Sequence, residues 1–288
     1  MPHPVALVTD STALLPRAVA EEHAITVVPL QVVVGARAYD EGVDPEATPE
    51  TIATALREFT PVSTSRPSPQ VFLEAYEKAV AAGAREIVSI HLSGEVSGTF
   101  ESAQLAARDA SVPVLTLDTR QLGMAVGFAV LAAAEVLDAG GTASEAVAAA
   151  RERAAGTTSL FYVDTLEYLR RGGRIGAAAA LLGSALAVKP LLKIVDGRIG
   201  SLEKVRTAGK ALARLEELAA AAADGRVEVA VAHLANPDRA EALAEGLRRR
   251  LEGRLGPAGV AVGEVGAVIG AHVGPGMVAV VVAPCTGS

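Results

Sequence analysis

The side chains able to do chemistry in this chain fall into four polar stretches, two basic ones and one isolated histidine. The polar stretches are TDST (9–12), VSTSRPSP (62–69), HLSGEVSGT (91–99) and DTRQ (118–121). Each lies where one element ends and another begins. In α/β sheets, ligands sit beyond the carboxyl ends of strands. Hydroxyls and free amides at a helix start receive anions, so Thr64, Ser93 and Ser97 are candidates for holding a carboxylate or phosphate. The same residue types cap helices, and Ser97 reads first as a cap. The basic stretches are LRRGGRIG, with Arg170, Arg171 and Arg174, and LEKVRTAGKAL, with Lys204, Arg206 and Lys210. Arg174 stands out because it follows Gly172-Gly173, where close backbone approach is permitted. A guanidinium fixed there can meet a carboxylate or phosphate with two parallel bonds.

The isolated histidine is His272, within GAVIGAHVGPGM. Glycines on both sides open backbone room for a ligand. The histidines at 3, 23, 91, 233 and 272 have no metal-ligand spacing, and no metal site is expected. His91 and His233 lie in apolar strand patterns and read as core. There is no G-x-S-x-G elbow, P-loop lysine, dinucleotide-binding glycine triplet or H-E-x-x-H. A hydrolase built on Ser93 and His272 stays open, although no acid stands out to orient the ring.

These residues need a frame. The chain has 288 residues, is 50% hydrophobic and only 3% aromatic, and has no tryptophan. That supports two domains with cores of Ala, Val, Leu and Ile. A net charge of −7 argues against general affinity for nucleic acid or anionic membrane. One cysteine, Cys285, cannot form an internal disulfide, which fits a reducing compartment. The start, MPHPVALVTDST, has no signal-peptide pattern and no apolar run is long enough to span a bilayer. A soluble cytoplasmic protein is expected.

Strand and helix patterns alternate from VALVTDST through the helix ending near residue 155. This predicts an N-terminal α/β domain over 1–155 with a parallel sheet and helices on both faces. Thr48-Pro49, Ser68-Pro69 and the Thr142/Glu145 capping box mark helix starts. From 156 to 288 the pattern predicts a mixed-sheet α/β domain, with a hairpin turning at Asp196-Gly197. GAVIGAH reads either as a strand end or as one helical turn.

Eight pieces occur in an order that resembles the DegV family of fatty-acid-binding proteins: VTDSTALLP, STSRPSP, HLSGEVSGTFESAQLAA, LDTRQLGMAVG, LEYLRRGGRIG, KPLLKIVDGRI, VRTAGKAL and IGAHVGPG. Together they span almost the whole chain. The resemblance implies a two-domain DegV-like α/β fold holding one long-chain fatty acid, such as palmitate, stearate or oleate. The tail would lie in an apolar tunnel and the carboxylate at the domain interface. It implies that Thr64, Ser93 and His272 hold the carboxylate. Many relatives have two adjacent serines where this chain has Ser93-Gly94, so the Gly94 amide would replace one hydroxyl. Arg174 and Arg206 match family positions near the head group or a kinase-docking face. The implied partner is a separate ATP-dependent fatty acid kinase, which makes an acyl phosphate for phospholipid synthesis. This chain would then be a carrier, not an enzyme, needing no cofactor and touching a membrane surface only transiently. Ala271 and Val273 depart from the threonines common in relatives. The competing readings are a phosphotransfer or hydrolase enzyme acting on a small phosphorylated substrate, and a partner protein whose arginines dock an acidic surface.

Overall fold

The structure, a computed structural model, describes residues 4–181 and 189–286, so part of the Ala-rich stretch read at 176–187 lies outside it. The first half opens with β1 (Val5–Asp10), α1 (Arg17–Glu22), β2 (Ile25–Val28), β3 (Gln31–Val34) and β4 (Arg37–Asp40). It continues with α2 (Pro49–Arg57), β5 (Val62–Ser65), α3 (Pro69–Ala81), β6 (Glu86–His91), α4 (Thr99–Asp109) and β7 (Val114–Asp118), and closes with α5 (Met124–Asp138) and α6 (Ala143–Gly156). The second half begins with β8 (Thr158–Tyr162), α7 (Glu167–Arg171), β9 (Lys189–Val195), β10 (Arg198–Val205) and α8 (Ala208–Ala222). It ends with β11 (Val227–His233), α9 (Pro237–Arg250), β12 (Leu255–Glu264), α10 (Ala267–Val273) and β13 (Val278–Pro284).

The expected parallel and mixed sheets are both present. Order β2-β1-β6-β7 makes a four-stranded parallel sheet. Its strands bury both faces. Leu7, Val88 and Ile90 pack toward α5 and α6, and Val8 and Ile87 pack toward α3 and α4. Order β10-β9-β8-β13-β11-β12 makes a six-stranded mixed sheet in which β11 and β12 run parallel. Helices α8 and α9 cover one face of it through Leu215 and Leu247. Helix α5 is buried nearly all round, as a helix between two sheets must be. Val126 and Val130 serve the first core, and Ala125 and Phe128 meet Ala230 and Val281 of the six-stranded sheet. Gly127 lets α5 pass against the backbone carbonyl of Ala13.

A third, antiparallel sheet has the order β4-β3-β5. Gly35, with φ +60°, turns β3 back onto β4. Strand β5 is the polar segment VSTS, half-buried in alternation, so it carries no apolar signal. The stretch left open between strand end and helical turn is the helix α10. It leaves the second half to pack against α2, α7, β3 and β5, burying Ala267, Val268 and Ala271 against Leu30, Val32 and Ile52. The hairpin at Asp196-Gly197 forms with φ +51° and +78°, the left-handed pair that a two-residue turn requires. Among the described residues, no helix is long and apolar enough to cross a membrane.

Candidate functional site

The carboxyl ends of β1, β6 and β7 point toward the second half, and the loops there close around a cavity of about 400 Å³. Its polar lining includes Thr12, Thr64, Ser97, Arg174 and His272, with Arg174 close to the His272 ring. A smaller, apolar space of about 70 Å³ lies beside it. The two share Leu122, Ile199, Ile269 and Val273 as walls. Leu14 and Met124 from the first half and Phe161, Ile194 and Met277 from the second extend that apolar lining. The hydroxyl of Ser159, which also lines it, donates to Gln121 Oε1 at 2.9 Å.

Thr64 and His272, 208 positions apart, meet at 2.8 Å through Oγ1 and Nε2. Strand β5 presents Thr64 opposite Val32 of β3, and α10 presents His272 from the other side. Burial, and then the nearby Arg174 guanidinium, push the His272 pKa down from 6.5 to about 4. The ring is therefore neutral near pH 7. Its Nδ1 is buried without a partner and lies against Gly172, where a Cβ would overlap it. A lone pair at Nδ1 beside a cation places the ring proton on Nε2. That N–H then donates to Thr64 Oγ1, leaving the Thr64 O–H to donate into the cavity. Arg174 is held by its own backbone surroundings: Nε donates to Val96 O at 3.0 Å and Nη1 to Gly172 O at 2.7 Å.

Thr12 is placed by Asp10. Its amide and hydroxyl both donate to Asp10 Oδ1, at 3.1 and 2.5 Å. Asp10 Oδ2 pairs with His91 Nδ1 at 2.9 Å and accepts from the Leu92 amide at 3.2 Å. His91 Nε2 meets Ser89 Oγ at 2.7 Å, and Ser89 meets the Tyr76 hydroxyl at 2.8 Å. This acid–histidine–serine series is sealed, with Asp10, His91 and Ser89 all 0% exposed. It braces the loops and offers no nucleophile.

Two of the expected head-group residues lie elsewhere. Ser93 is fully buried. Its hydroxyl donates to Gly197 O at 2.7 Å and accepts from the Glu95 amide at 3.2 Å. The Gly94 amide donates to Asp118 Oδ2 at 3.2 Å. Ser93 is drawn off because the β9–β10 hairpin docks there: Arg120 Nη2 donates to Asp196 O at 2.9 Å, and Arg198 pairs with Glu95 at 2.5 Å. A buried serine committed to a backbone carbonyl also cannot serve as a hydrolase nucleophile. The glycines around His272 have a different use from the expected ligand room. A Cβ on Gly274 would overlap the Tyr168 ring, and one on Gly276 would overlap Asp164. They let the loop pack on α7. Arg206 is exposed at the end of β10, away from the cavity walls.

Ser97 was read as a cap, but the cap position of α4 is Gly98, which has no side-chain bond, and Ser97 stands one residue before it. It accepts from the Thr99 amide at 3.3 Å, and it lines the cavity. Thr12 and Arg66 also line the cavity without having been singled out. Arg66 Nη1 donates to Gly98 O at 3.1 Å and to Glu101 at 2.8 Å. The signal available for both was their place at element ends. Among the described residues, no group of three His, Cys, Asp or Glu side chains is placed to hold a metal ion.

The chain matches the model described as "Uncharacterised protein, DegV family" over residues 4–285. It is 60% identical to a DegV domain-containing protein of Streptomyces coelicolor over 279 residues, 96% of this chain and 98% of that one. A fatty-acid-binding DegV family protein from Thermus thermophilus has a similar structure, with TM-score 0.90 and 34% identity over 98% of this chain and 99% of that one. DegV of Bacillus subtilis, a fatty acid binding protein, is similar with TM-score 0.87 and 31% identity over 98% and 99%. By sequence and by fold, this chain belongs to the DegV family.

Proposed function

We propose that this protein binds one long-chain fatty acid, with the carboxylate beside Thr64 and His272 and the tail running along the apolar walls of the cavity and on into the small compartment next to it. The observation that carries this is a cavity with polar groups in its lining that shares four apolar wall residues with a carbon-lined space. Burying a tail in carbon gains about 0.8 kcal/mol per CH₂. For a palmitate-like chain that is on the order of 10 kcal/mol before ordering costs. A buried carboxylate needs hydrogen bonds or a cation. The Thr64 hydroxyl, the Ser97 end of α4 and the Arg174 charge can supply both. Because His272 is held neutral, the positive partner is the Arg174 guanidinium. The similar Thermus and Bacillus proteins bind fatty acids, which supports the same ligand class here.

Binding of this kind needs no cofactor. The chain acts as a cytoplasmic carrier, presenting its ligand to a separate ATP-dependent kinase that forms the acyl phosphate. Arg174 sits at the cavity, and the exposed Arg206 belongs to the docking face. Native and then denaturing mass spectrometry of the purified protein tests the ligand. One fatty acid per chain, lost on denaturation, is expected. A bare protein that also fails to take up oleate or palmitate overturns the reading.

A further inference from the structure

Helix α10 is only seven residues long, and Gly266 at its start offers no side-chain cap. A helix this short does not hold itself together in water. What replaces the cap comes from far away in sequence. Glu41, directly after β4, is only 7% exposed. Its Oε1 accepts from the Val268 amide at 2.8 Å, across 227 positions of chain. A Cβ on Gly266 would overlap that same oxygen, so the glycine makes the approach possible. The Glu41 amide is itself fixed, donating to Leu30 O at 2.9 Å. Leu30's own amide donates to Ser11 Oγ at 3.0 Å.

Val268 and His272 are four positions apart, so they lie on one face of α10, about 6 Å along its axis. That face meets the small antiparallel sheet at two points. Glu41, just past the end of β4, accepts from the Val268 amide, and Thr64 from β5 meets the His272 ring. We infer that Glu41 is the positioning residue of the binding site. By capping α10 from the small sheet, it fixes the height at which His272 meets Thr64. A carboxylate at the amino end of a helix also opposes the helix dipole favourably. The other carboxylate oxygen, Oε2, is buried without a fixed partner, and burial raises the Glu41 pKa above 4.5.

The assignment rests on the proposed carboxylate site, and its test separates the two. The variants are Glu41→Ala and Glu41→Gln. Oleate affinity is measured by titration, and the His272 ring resonances by NMR on ligand-free protein. Glu41→Ala is expected to weaken oleate binding about tenfold or more, the cost of losing a bond to a charged group, and to shift the His272 resonances. Glu41→Gln keeps an acceptor for Val268 and should restore both to near wild type. Should Glu41→Ala not fold, Glu41→Asp, which withdraws the acceptor by one methylene, is read in its place with the same expected direction. Wild-type affinity and unmoved ring resonances in a folded Glu41→Ala or Glu41→Asp protein overturn the inference. If wild-type protein binds no oleate, the carboxylate reading fails, and the ring resonances of the ligand-free variants still decide the role of Glu41.

Discussion

At the scale of single residues, the site works by assigning one proton to one atom. In the proposed site the neutral His272 would donate from Nε2 to Thr64 Oγ1, and Thr64 would offer its hydroxyl to the carboxylate. Thr64→Val keeps the shape and removes that hydroxyl. It should cost about 1–3 kcal/mol of fatty acid affinity, the penalty for an unpaired buried acceptor, measured by titration with oleate. Ser93→Ala should behave differently, because Ser93 bonds to Gly197 O and not to the cavity. It should lower thermal stability while leaving affinity within about twofold, a change of under 0.5 kcal/mol. Equal loss of both would return Ser93 to the ligand. The depressed His272 pKa also has a consequence for stability. The folded value is about 4 and the ordinary one 6.5, so the unfolded chain takes up a proton first as pH falls. Stability from this group is complete above 6.5 and is lost as pH falls toward 4. Denaturant titrations of wild type and His272→Gln over that range should diverge, with the wild type losing more.

At the scale of elements, the hairpin of β9 and β10 joins the two halves through its tip. Gly197 has φ +78°, and a Cβ there would overlap Ser93 Oγ. Gly197→Ala therefore meets backbone strain and a clash together. A loss of more than about 1 kcal/mol is expected in denaturant unfolding, with looser retention of bound lipid because Ile194 and Ile199 flank the tip. Much of this level was legible in the sequence. Asp196-Gly197 is a turn by its residue types, the capping box at Thr142 and Glu145 forms as read, and the apolar runs became the parallel strands. Thr64 was legible as a candidate because it lies in a polar stretch at an element end, and His272 because a titratable ring stands there between glycines. The third strand of the small sheet was not legible, since β5 is the polar segment VSTS and carries no apolar alternation. The hairpin contact of Ser93 was not legible for a related reason. A serine at a strand end looks the same in sequence whether a ligand or a hairpin from the other half covers it. Glu41 left no local signal at all, because its partner is a backbone amide 227 positions away.

At the scale of the whole molecule, the ligand and the fold share one interface. The cavity walls come from both halves: Leu14, Leu122 and Met124 from the first, Phe161, Ile199 and Ile269 from the second. A fatty acid seated there replaces empty space between apolar surfaces with contact, and it binds the folded form alone. Binding to the native state stabilises it by RT ln(1 + [L]/Kd), about 2.7 kcal/mol at a hundredfold excess over Kd. For a protein of this size that corresponds to a rise in Tm on the order of 5 °C. Delipidated protein should melt lower than protein as purified, and added oleate should restore the difference in a concentration-dependent way. The control is Thr64→Val, which keeps the tail compartment and loses the head-group bond. Its melting curve should need more oleate for the same rise. A Tm that ignores oleate in wild type would mean that the two halves close without a ligand between them, and the cavity would then have to serve something other than an acyl chain.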